Sequence, residues 1–250
     1  MSIVPPEFRL KKIVWPVLMA VIVAGLWMTS RNAVADTHGS KVWRYRMTVT
    51  VETPEGLKTG SAVREVSYQK GIALTPEMLP NIGLKGEAIV VDLGKYGVLF
   101  ALLTGAVHGP DYGSDIIFNV LPAKGVKSGR DRIPPKGEIV RLTPAQYPLF
   151  VRFGDLNDPK SLEGVTRAEM SGINTVSYFL KGEMFGDGVQ LKEVTIELTD
   201  DDVTWTIEKW LKWLPERKGK RYFATIMVGP SDNPDRIRFI GREFSNGRYW

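Results

Sequence analysis

Residues 42–52 read VWRYRMTVTVE, and from Trp43 onward apolar and polar side chains alternate without a break. Period two is the side-chain repeat of a β-strand, so Trp43, Tyr45, Met47, Val49 and Val51 share one face. Arg44, Arg46, Thr48 and Thr50 share the other, as in a sheet with one face in the core and one in water. Pro54-Glu55-Gly56 opens a turn that Gly60 closes, and residues 62–68 are expected to return as the partner strand. Residues 87–93 and 98–103 flank Gly94-Lys95-Tyr96-Gly97, a second hairpin signal. Their runs AIVVDL and VLFALL are almost wholly apolar, so this hairpin is expected near the centre, covered on both faces.

Further strands are expected at 118–121, 139–142, 149–153, 189–198, 222–228 and 236–240. Residues 104–137 are rich in Gly, Pro and charge and read as a long, partly ordered excursion. Residues 74–80 and 142–148 each read as one helical turn, with Thr75 or Thr143 as N-cap and Pro76 or Pro144 next. Thr166-Arg167-Ala168-Glu169 has capping-box spacing, with Val165 and Met170 as staple partners. A single long helix is expected at 199–214. Val203, Ile207, Trp210, Leu211 and Leu214 form its apolar stripe, Asp200, Asp201 and Asp202 sit in its first turn, and Pro215 ends it. The fold class is therefore mainly antiparallel β (α+β), with one long C-terminal amphipathic helix packed on the sheet.

Residues 1–35 have the layout of an export signal. Arg9, Lys11 and Lys12 precede an uncharged run, IVWPVLMAVIVAGLWM, from Ile13 to Met28, and Ala33-Val34-Ala35 suits a cut before Asp36. The competing expectation is an uncleaved inner-membrane anchor; sixteen helical residues rise about 24 Å against a hydrocarbon core of roughly 30 Å. Either way, residues 36–250 form the exported domain, placed in the periplasm or cell envelope. Of the 33 basic and 28 acidic residues, the first 35 positions hold four and one, so the net +5 falls to +2 on cleavage. A nucleic-acid partner is not expected from so small a charge. The chain has no Cys, which excludes disulfides, thiolate catalysis and Cys-ligated metals, and its two His exclude a three-His metal site.

His108, Asp111 and Asp115 are the candidate catalytic residues, since an imidazole beside carboxylates can orient a base. Gly109, Pro110 and Ser114 around them are turn formers, and the turn account is preferred. Asp155-Leu156-Asn157-Asp158 fails the EF-hand pattern at Pro159 and Lys160 and reads as an Asx turn. No metal or other cofactor is expected. The candidate binding residues are Trp205, Lys209, Lys212, Trp213, Arg217 and Lys218 on the expected helix and after it, with Arg248, Tyr249 and Trp250 at the end. Aromatic and Arg side chains are the types that dominate binding hot spots. A basic, Trp-bearing helix also suits an anionic membrane surface. The expected function is non-catalytic protein binding at the cell envelope. The alternatives are a periplasmic hydrolase around His108, Asp111 and Asp115, and a membrane-anchored accessory subunit of a membrane complex.

Overall fold

The computed structural model describes residues 40–69, 81–105, 109–120, 136–172, 175–218, 220, 222–228 and 235–248. β1 (Ser40–Thr53) and β2 (Gly56–Gln69) pair along their whole length, with Thr53 opposite Gly56 across a two-residue turn. β3 (Asn81–Glu87) follows, then β4 (Ile89–Asp92) and β5 (Val98–Gly105) around a short 3-10 turn, then the helix α1 (Tyr112–Val120). The remaining strands are β6 (Val140–Arg141), β7 (Pro148–Phe153), β8 (Leu162–Gly164), β9 (Thr166–Gly172), β10 (Thr175–Leu180) and β11 (Gln190–Leu198). β12 (Ala224–Val228), β13 (Asp235–Phe239) and β14 (Ser245–Asn246) complete the chain. Every pairing between described strands is antiparallel. One sheet runs β14-β3-β2-β1-β11-β6, a second β4-β5-β7-β8, and β9–β10 and β12–β13 are separate hairpins.

The second sheet is the middle layer of the molecule, and its strands explain why. Leu99 and Ala101 of β5 and Phe150 of β7 join Tyr45, Met47, Val49 and Val51 of the first sheet in one core. Phe100 and Leu102 of β5, with Leu149 and Val151 of β7, enter a second core beside Ile207, Leu211, Leu214, Phe239 and Phe244. A strand buried on both faces has no polar position to spare, which is the apolar run seen at 98–103. β1 shows the opposite case. Trp43, Tyr45, Met47, Val49 and Val51 are all buried, whereas Arg44 and Arg46 lie on the outer face paired to Glu65 and Glu197.

Five expectations change. Gly60 lies inside β2 rather than closing the turn, because a side chain there would meet the Val90 carbonyl oxygen at 2.1 Å; the glycine lets β2 approach β4. Residues 118–120 belong to α1, not to a strand: Tyr112 and Ile116, one helical turn apart, are buried in the first core with Ile117. The excursion at 104–137 accordingly contains the end of β5 and all of α1. Thr166 starts β9 rather than a helix, since its hydroxyl bonds across to the Phe150 amide and carbonyl instead of capping. The helix expected at 199–214 does not form.

Residues 199–206 instead cross the first sheet as an irregular strap, followed by 3-10 turns at Ile207–Lys209 and Leu214–Arg217. The reason is competition for backbone groups. The Thr199 amide donates to the Arg44 carbonyl, Thr204 exchanges bonds with Val63, and the Thr206 and Ile207 amides donate to the Glu87 carboxylate. Amides held from outside cannot build an i to i−4 ladder. The three acids read as a helix N-terminus clamp the strap: Asp200 to Lys136, Asp201 to Arg46 and Asp202 to Arg44. The apolar stripe nevertheless finds the core, with Ile207, Leu211 and Leu214 buried. The turn at Thr143 is present, Gln146 Oε1 accepting from the Thr143 amide at 2.9 Å, and Asp155 forms the expected Asx turn with the Asn157 amide at 2.9 Å. The turn expected at 74–80 and the segment from Ile13 to Met28 lie outside the described residues. Among the described residues no helix is long and apolar enough to cross a membrane.

Candidate functional site

Two regions hold the candidate residues. The first is a cavity of about 480 Å³ at one end of the middle sheet. Ile82 and Leu84 of β3 and Leu103 and Thr104 of β5 form two walls; Pro110, Asp111 and Ser114 at the start of α1 and Ile240, Arg242, Glu243 and Asn246 form the others. The walls are tied together. The Leu103 amide donates to the Glu243 carbonyl at 2.9 Å, the Ala88 amide to the Phe244 carbonyl at 2.8 Å, and the Thr104 hydroxyl to the Gly109 carbonyl at 2.6 Å. Gly113 brings α1 into place, because a side chain there would meet Leu84 at 2.6 Å and the Leu103 carbonyl oxygen at 2.9 Å.

Of the proposed catalytic group, only Asp111 lines this cavity. Asp115 is half-buried in the first turn of α1 and is not part of the lining, and His108 lies outside the described residues. The Ser114 hydroxyl is committed to the Asp111 carbonyl at 2.8 Å, so it is not held by a base. Among the described residues no three His, Asp or Glu side chains gather as metal ligands.

The second region is the stretch 205–220, where the expected binding residues divide into two kinds. Trp213 is used internally: its indole N–H donates to the Leu156 carbonyl at 2.8 Å, and its ring meets Phe153 and Phe223 edge-on at 5.7 and 5.2 Å. Arg217 lies over the Phe223 ring at 5.2 Å. Trp205 is half-buried under Arg248, whose guanidinium sits 5.7 Å from the ring and 3.2 Å from Glu208. Lys209, Lys212 and Lys218 are exposed, as is Lys220, and none pairs with another described residue. Tyr249 and Trp250 lie outside the described residues.

Sequence reasoning missed a buried polar cluster between β2, β5 and α1. Arg64 is fully buried, its guanidinium donating to the carbonyls of Glu87, Ala101 and Leu102 at 3.2 to 3.4 Å and facing Met47 Sδ at 3.7 Å. Tyr45 donates to the Gly113 carbonyl at 2.6 Å and Tyr112 to the Gln146 carbonyl at 3.0 Å. Burial pushes both phenols above their ordinary range, Tyr112 far above it, against the opposing pull of the Arg64 charge. The one available signal was Arg64 in the core-facing register of β2, between Ala62 and Val66. Arg242, Glu243 and Asn246 carried no signal toward Asp111, more than a hundred residues earlier.

Comparison of the chain with protein-family models, with curated proteins and with solved structures finds no match.

Proposed function

We propose that this chain is an exported, non-catalytic cell-envelope protein that works by binding another protein. One observation carries the reading: Lys209, Lys212, Lys218 and Lys220 stand exposed without carboxylate partners among the described residues, on a base anchored by buried Ile207, Leu211 and Leu214. On the outer face of the first sheet several cations are matched, Arg44 with Glu65, Arg141 with Glu193 and Lys192 with Glu52. An anchored row of unmatched lysines suits a partner with an acidic face, where complementary charge steers association. The export signal expected over residues 1–35 supports an envelope location, with a cut before Asp36 or a retained inner-membrane anchor through Ile13 to Met28 as the two forms.

The test places a photo-crosslinking amino acid at position 212 of the full chain in its native host, with fractionation and intact mass in parallel. The expected result is one discrete protein adduct from the envelope fraction, lost when Lys209, Lys212 and Lys218 are changed to Glu. A cytoplasmic chain, or adducts indifferent to charge reversal, would overturn the reading. The hydrolase alternative draws support only from Asp111 in the cavity lining. Combined substitution of His108, Asp111 and Asp115 without effect on the host's phenotype would remove it.

A further inference from the structure

We infer that the cavity beside Asp111 is a binding site for an aliphatic ammonium compound, separate from the lysine surface and independent of its role. Its size lies within the range of about 300–1,000 Å³ usual for small-molecule sites, and its walls are joined by backbone hydrogen bonds before any ligand arrives.

The class of ligand follows from counting donors and acceptors around the cavity. Ile82, Leu84, Leu103 and Ile240 give apolar wall for a hydrocarbon body. The hydroxyls of Thr104 and Ser114 both donate their only proton to backbone carbonyls, so toward the cavity they present lone pairs alone. Glu243 adds a carboxylate, held in position where Oε2 accepts from the Ile240 and Gly241 amides at 3.2 and 3.0 Å. Asp111 is exposed, and among the described residues no hydrogen bond or ion pair reaches its carboxylate. Against these four acceptors stand the Arg242 guanidinium, 3.7 Å from Glu243, and the Asn246 amide. The rim is thus acceptor-rich and bears two negative charges to one positive. A group with several N–H donors and a positive charge satisfies it, and an ammonium has three such donors. Asp111 is the recognising charge and the aliphatic walls take the chain.

The test titrates the full chain with n-hexylammonium, n-hexanol and hexanoate, which share a tail and differ at the head. Saturable binding of hexylammonium, at least tenfold tighter than hexanol or hexanoate, is expected. Asp111→Asn should weaken it at least tenfold without lowering the melting temperature, because only the Asp111 carbonyl, not the carboxylate, serves α1. Ile82→Trp, which fills the cavity from a half-buried position, should abolish binding in a folded protein. Hexanoate binding as well as hexylammonium, no saturation with any probe, or unchanged binding by Asp111→Asn would each overturn the assignment. Neither result bears on charge-dependent crosslinking at position 212.

Discussion

Arg64 carries a positive charge into the core with no carboxylate against it among the described residues; backbone carbonyls of β3 and β5 take that place. A guanidinium spans both strands because its donors are spread over a planar fork, and an ammonium cannot. Arg64→Lys is therefore expected to cost about 2–4 kcal/mol in urea denaturation, as carbonyls are left unpaired in the core. Ser245 makes the opposite case. It is fully buried, and its hydroxyl has no hydrogen-bond partner among the described residues, so Ser245→Ala should raise stability by about 1 kcal/mol. The buried phenols set the alkaline limit. Their folded pKa values lie above the unfolded value near 10, so the folded state holds protons that the unfolded state releases. Stability is then fully present below about pH 10 and falls as pH rises beyond it. The urea midpoint measured from pH 8 to 12 should show that slope, and Tyr112→Phe should flatten it.

The strap at 199–206 shows how a helical pattern loses to its surroundings. Spacing and capping residues argue for a helix worth a few tenths of a kcal/mol per favourable pair. Each amide the strap gives to Arg44, Val63 or Glu87 instead joins it to the sheet, and the Glu87 carboxylate takes two amides and the Thr206 hydroxyl. Hydrogen bonds to a charged acceptor contribute about 1.5–3 kcal/mol each, enough to decide the contest. Glu87→Ala should therefore release this segment. Hydrogen exchange is expected to rise at least tenfold for the Thr206 and Ile207 amides while β1 amides stay protected. Equal exchange in both proteins would mean that the strap holds by its bonds to Arg44 and Val63 and its aspartate ion pairs without Glu87. The legibility of such segments is limited for the same reason. β1, the 94–97 hairpin and the Thr143 turn depend on neighbours in sequence and were readable, whereas Thr206 meets Glu87 across 119 positions.

The middle sheet belongs to two cores at once, so neither core can open without exposing a face of β5. That predicts one cooperative unfolding transition for the described domain. Leu99→Ala acts on the first core and Leu102→Ala on the second, and each should cost about 2–5 kcal/mol while shifting the same transition. Far-UV circular dichroism and tryptophan fluorescence should give coincident midpoints in both variants; separated midpoints would show that the layers fold independently. The same layering brings the Glu243 loop to Asp111, which creates the cavity, and leaves the lysines of 209–220 on the outside of the second core.

Period-two patterning and turn residues were enough to read the β class, the first two hairpins and the inward face of β1. Those features arise between neighbours a few residues apart, where side-chain spacing alone sets the geometry. The strap, the helix at 112–120, the buried Arg64 and the walls of the cavity came only with the folded chain. Each rests on a backbone group or charge meeting a partner from a distant strand, and local spacing holds no record of such meetings.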